Sequence, residues 1–123
     1  MIKVLVIPAK GSMTLVRITP TRWAFGQLLG GPDIIEANTQ GWGRRVGAYR
    51  GQQDRRQTFN GRAAALLAMD ELGGPAVFFG TNFTGRPTGH EIDVPDLFLR
   101  FVAGQFPGTI KPRKKTDQTL GQP

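Results

Sequence analysis

Ser12 and His90 are the only serine and the only histidine in the chain, so a serine–histidine–acid relay has one possible pairing. Ser12 lies in a Lys-Gly-Ser stretch without the strand–turn–helix elbow that exposes a nucleophilic serine, and reads as a turn residue. His90, Glu91 and Asp93 of HEID (90–93) offer three hard-metal ligands. Neighbours on a strand point to opposite faces, however, so of these only Glu91 and Asp93 would share a side. Asp70 and Glu71 form a carboxylate pair suited to acid–base work, but they fall at the end of a helical pattern beside Gly73. GWGRRVG (41–47) comes nearest to a phosphate-cradling loop. Its spacing is GxGxxxG rather than GxGxxG, and no strand with an acidic ribose partner follows about 20 residues on. These readings predict a protein that is not an enzyme and has no catalytic residue, metal or cofactor.

The strongest chemical signal is charge. RRVGAYRGQQDRR (44–56) sets Arg44, Arg45, Arg50, Arg55 and Arg56 among Trp42, Tyr49 and two glutamines. Guanidinium forks bind phosphate bidentately, and aromatic rings stack on bases or under another guanidinium. A second basic run, KPRKK, contributes Lys111, Arg113, Lys114 and Lys115. The net charge of +7 is unevenly spread: residues 41–62 carry six arginines against Asp54 alone, whereas the next 48 residues are net acidic. Such clustering favours an anionic partner, either nucleic acid or an acidic protein surface. If residues 44–50 are extended, Arg44 and Arg50 share one face while Arg45 and Tyr49 take the other, which divides the charge.

The chain of 123 residues fits one domain with a single core. With no cysteine, disulfides and thiolate zinc sites are excluded. No apolar run approaches membrane-spanning length, and the start resembles no secretion signal, so a cytoplasmic protein without membrane contact is expected.

Residues 2–8 and 13–19 read as strands joined in a hairpin. A helix over 21–29 starts on a threonine cap and ends at Gly30-Gly31. Residues 33–39, 46–49, 56–59 and 75–81 read as further strands. Asn60 caps a helix over 61–72 closed by Gly73-Gly74, with Ala63, Leu66 and Leu67 inward. A last helix over 94–106 has Leu97, Phe98, Phe101 and Val102 as its buried face. The prediction is an α+β domain over residues 1–106, with a mixed or largely antiparallel sheet packed by two or three short helices. Residues 107–123 read as a flexible, disordered basic tail.

The order of MIKVLVIP, VRIT, QLLGGPDIIEA, FNGRAAALL, GGPAVFFG and EIDVPD resembles the DUF3846 domain of phages, plasmids and other bacterial mobile elements, over roughly residues 1–97. The family's activity is unassigned, so the resemblance carries over no site residue. It implies a bacteriophage or mobile-element gene and a role in the host bacterial cell, such as host takeover or counter-defence. Relatives often place acidic residues between the Ile-Glu-Ala strand and the Asn-led helix, where this chain is arginine-rich. Three expectations follow. In the first, the protein binds a host macromolecule, with nucleic-acid phosphates on the arginines and bases on Trp42 and Tyr49. In the second, it is a protein-interaction inhibitor of a host enzyme or assembly, anchored by Trp42 or Phe83. In the third, it binds a small anionic nucleotide signal in a concave pocket near Gly41–Gly47.

Overall fold

The run IKVLVI carries apolar side chains on both of its alternating faces, and such a strand must be covered on both sides. In the computed structural model, which describes residues 1–54, 56–82, 90–106, 108 and 110–112, this run is β1 (Ile2–Ile7). Its last four residues are all buried. The chain returns antiparallel as β2 (Thr14–Ile18), with Ile2 opposite Ile18 and Val4 opposite Val16. On the other side of β1 lies β5 (Ala76–Thr81), then β4 (Val46–Arg50), then β3 (Ile35–Asn38) at the edge. Two short strands complete the sheet. β6 (Glu91–Ile92) pairs antiparallel with the end of β5, and β7 (Lys111–Pro112) runs parallel to the start of β2. With the helices α1 (Arg22–Leu29), α2 (Gly61–Leu67) and α3 (Asp96–Gln105), the described residues form an α+β fold around a mostly antiparallel sheet.

Helices cover both faces of the sheet and make two cores. α1 brings Phe25, Leu28 and Leu29 onto Val4, Val6, Val16, Ile18, Tyr49 and Phe79. α2 and α3 bring Ala63, Leu66, Leu67, Phe98 and Val102 onto Leu5, Ile7, Val46, Ala48 and Phe78. Phe25, Phe78, Phe79 and Phe98 are almost wholly enclosed. Each contributes about 1.5–3 kcal/mol of burial free energy.

Both polar caps predicted from sequence are present. The Thr21 hydroxyl accepts from the Ala24 N–H at 3.1 Å, and Asn60 Oδ1 accepts from the Ala63 N–H at 3.1 Å. The structure departs from the other expectations in four places. Residues 56–59 form no strand beyond one isolated bridge from Phe59 to Gly73. Asp54 accepts there from the N–H groups of Arg56 and Gln57, which commits the backbone to a turn instead of a ladder. α2 stops at Leu67, because Ala68 turns left-handed at φ 52° and brings buried Leu72 back under Asn60, whose N–H donates to the Leu72 carbonyl at 2.7 Å. On α3, Phe98 and Val102 are buried while Leu97 and Phe101 face outward. Within the segment read as a tail, Ile110 packs on the core and the Lys111 N–H donates to the Met13 carbonyl at 2.9 Å. Residues 113–123 lie outside the described part. No described helix is long and apolar enough to cross a membrane.

Candidate functional site

β4 determines where the arginines go. Arg44 and Arg45 are exposed on the short turn Gly43–Arg45, closed by the Arg45 N–H donating to the Trp42 carbonyl at 3.2 Å. Arg50 ends β4, half-buried, and Arg56 is exposed in the turn that follows Asp54. A strand rises about 3.3 Å per residue, so the backbones of Arg45 and Arg50 stand about 16 Å apart. Arg44 and Arg45 therefore stand at one end of β4 and Arg50 at the other. Lys111 is exposed on the sheet edge at β7. Arg55, Arg113, Lys114 and Lys115 lie outside the described residues, as does Phe83.

Of the two aromatic side chains expected to stack on bases, Tyr49 is enclosed and Trp42 is partly covered. Tyr49 is 7% exposed, with its ring 4.8 Å from Phe25 and 4.6 Å from Phe79 between centroids. Trp42 is half-buried, edge-on to Phe98 at 5.2 Å and to Phe101 at 5.7 Å. Successive side chains of a strand reach opposite faces, and both faces here are covered, so an aromatic residue beside an arginine in sequence is drawn into a core.

Trp42 nevertheless leads to a surface. Phe101, 40% exposed, continues outward from it, and Leu97, 62% exposed, stands one helical turn before Phe101 on the same stripe of α3. Arg100 is exposed beside them, and Arg44 and Arg45 follow Trp42 along the chain. Sequence reasoning placed Leu97 and Phe101 inside. The available signal was a surplus: Leu97, Phe98, Leu99, Phe101 and Val102 subtend about 200° of the helix, twice the width of an ordinary buried stripe.

A groove opens on the α1 side of the sheet, where α1 does not reach. It encloses about 480 Å³ between Glu36 and Asn38 of β3, Arg44, Gly47 and Tyr49, and Thr81, Asn82 and His90. It therefore occupies the position that the small-ligand reading needed. Gly47 is required there by close packing: a Cβ would come within 2.6 Å of the Phe79 ring and 2.9 Å of the Thr81 methyl.

No family model, curated protein or solved structure matches this chain.

The carboxylates of the HEID stretch have structural partners. Asp93 Oδ1 accepts from the Lys3 N–H at 2.8 Å, and Glu91 accepts from the Tyr49 hydroxyl at 2.6 Å. Among the described residues no group of three acidic or histidine side chains is placed to hold a metal ion. Burial, the hydrogen bond to Glu91 and the Glu91 and Glu36 charges all push the Tyr49 phenol well above its ordinary pKa near 10. The folded state thus keeps this proton more tightly than the unfolded state does. Its contribution to stability is complete below pH 10 and is lost as pH rises from there towards the folded pKa, at about 1.4 kcal/mol per pH unit. Tyr49 is the only tyrosine. Its tyrosinate absorbance should stay absent from the folded protein at pH 11 and appear at once on adding denaturant. Tyr49→Phe should remove this share of the alkaline loss in stability; an ordinary titration midpoint near 10 in the folded protein would show that the Glu91 contact does not hold in solution.

Proposed function

We propose that this protein is a mobile-element accessory protein that acts by binding an acidic host protein, in keeping with the resemblance to DUF3846 domains. The observation that carries this reading is the apolar surface of Leu97, Phe101 and Trp42, with Arg100 exposed beside it on α3. Large apolar side chains anchored on a rigid helix beside an arginine have the composition of an interaction hot spot. Aromatic anchors supply affinity through desolvation, while the guanidinium group steers and orients a partner of opposite charge.

Capture from nuclease-treated host lysate tests the proposal. Wild type should retain one acidic protein stoichiometrically, and Leu97→Glu should weaken that retention about 30-fold or more, the scale of a hot-spot loss. Leu97 is exposed enough for its variant to keep the wild-type Tm. Retention that survives Leu97→Glu and Phe101→Ser would reject the surface. Retention abolished by nuclease would return the protein to the nucleic-acid class. In that class, affinity for duplex DNA should fall with salt at a log–log slope of about −0.9 per phosphate neutralised.

A further inference from the structure

We propose that the groove between β3, β4 and β5 is a binding site for a nucleoside monophosphate whose base carries an exocyclic amine. Its volume of about 480 Å³ falls within the range of about 300–1,000 Å³ typical of small-molecule sites. Two features distinguish it from a surface irregularity. First, Thr81 Oγ1 and His90 Nδ1 in its wall are both buried and have no hydrogen-bond partner among the described residues. Buried polar atoms are nearly always paired, because an unpaired one forfeits its hydration without return. Both atoms are closed to solvent as they stand, so a ligand meets them once Thr81 or His90 turns about its side-chain torsions towards the groove, and the hydrogen bonds then formed recover that loss.

Second, the charges are ordered along the groove. Arg44 stands at the end nearest the Gly43–Arg45 turn, as a fork for a phosphate. Asn38 opposes Gly47 and Glu36 opposes Tyr49 in the β3–β4 register, so both stand on the face that bears the groove. They lie about 7 Å apart along the strand. Asn38 and Asn82 donate and accept, whereas the Glu36 carboxylate only accepts. A ligand matching this order carries an anion at one end, hydroxyls and ring nitrogens in the middle, and an N–H donor at the other end. An adenosine or cytidine monophosphate has that arrangement; inorganic phosphate lacks the middle and far end, and inosine or uridine monophosphate puts a carbonyl oxygen where the amine would meet the Glu36 carboxylate.

Calorimetric titration of the full chain with AMP, IMP, CMP, UMP and inorganic phosphate tests this. AMP or CMP should bind at least tenfold more tightly than IMP or UMP respectively, and Glu36→Gln should abolish that preference. Thr81→Val, which keeps the side chain's shape, should weaken binding about tenfold, and Arg44→Ala should weaken the monophosphate more than the bare nucleoside. No binding of any monophosphate at millimolar concentration, equal binding of inorganic phosphate, or unchanged affinity in Thr81→Val would each overturn the assignment. The site is independent of the α3 surface: Leu97→Glu should leave nucleotide affinity unchanged, and Thr81→Val should leave protein capture unchanged.

Discussion

Replacing Asn60 by alanine should lower the stability of the fold by about 3–5 kcal/mol, a fall of about 10–20 °C in Tm. Asn60 is completely buried, and every polar atom of its side chain is used. Oδ1 accepts from the Ala63 N–H to start α2, while Nδ2 donates to the carbonyls of Ile7 and Gly74, each at 2.9 Å. The cap alone is worth about 1 kcal/mol. Each carbonyl left without a donor in a dry interior adds about 1–3 kcal/mol. Asn60→Ser separates the two roles, since a serine hydroxyl caps the helix but cannot also bridge the end of β1 to the start of β5. Asn60→Asp keeps the acceptor but turns a carboxylate towards two carbonyl oxygens, and should be at least as damaging as alanine at neutral pH. Urea unfolding of the three variants measures these effects. If Asn60→Ser matched wild type, the bridge between Ile7 and Gly74 would contribute nothing and the residue would be only a cap.

The second large effect is expected at Gly80, in the middle of the sheet. A Cβ there would collide with the Asp93 carbonyl oxygen and lie 3.0 Å from Ile92 Cγ1. The obstacle is backbone, so no rotamer change relieves it; β6 must move away from β5, where Gly80 faces Ile92 and Thr81 faces Glu91. Gly80→Ala should therefore cost about 3 kcal/mol, at the upper end of overpacking. The damage should spread to contacts that depend on β6, namely Asp93 with the Lys3 N–H and Glu91 with Tyr49. This gives a second readout: tyrosinate should form at lower pH in folded Gly80→Ala than in wild type. Gly104 of α3 provides the control, because a Cβ there meets nothing within 4 Å. Gly104→Ala should stabilise by about 0.5–1 kcal/mol through helix propensity. If Gly80→Ala behaved like Gly104→Ala, β6 would not be held against β5 as described.

Local physics accounts for what was legible along the chain. Thr21 and Asn60 declare themselves as caps because their side chains act within three residues of their own position. The alternation in VGAYR correctly divides Val46 and Ala48 from Tyr49, since the period of a strand is a property of its own backbone. Failures arise where the decisive partner is remote. Residues 56–59 look like a strand until the Asp54 turn captures their N–H groups. The helix begun at Asn60 looks longer than it is, because burying Leu72 requires an early reversal at Ala68. Arg45 and Arg50 look like close neighbours because a sequence is written without its strands; five residues of β geometry set their backbones about 16 Å apart.

Taken alone, the sequence determined the secondary-structure periods, the helix starts, the excess of positive charge and the lack of cysteine chemistry. Each depends on residue type and short-range spacing. Only the tertiary structure decided which distant groups meet: Trp42 with Phe101, Tyr49 with Glu91 across 42 residues, and Asn60 with Ile7 across 53. Those meetings follow from the order β3-β4-β5-β1-β2-β7, with β6 on β5. That order is selected by the packing of both sheet faces at once, and so is a property of the whole chain that no single segment carries.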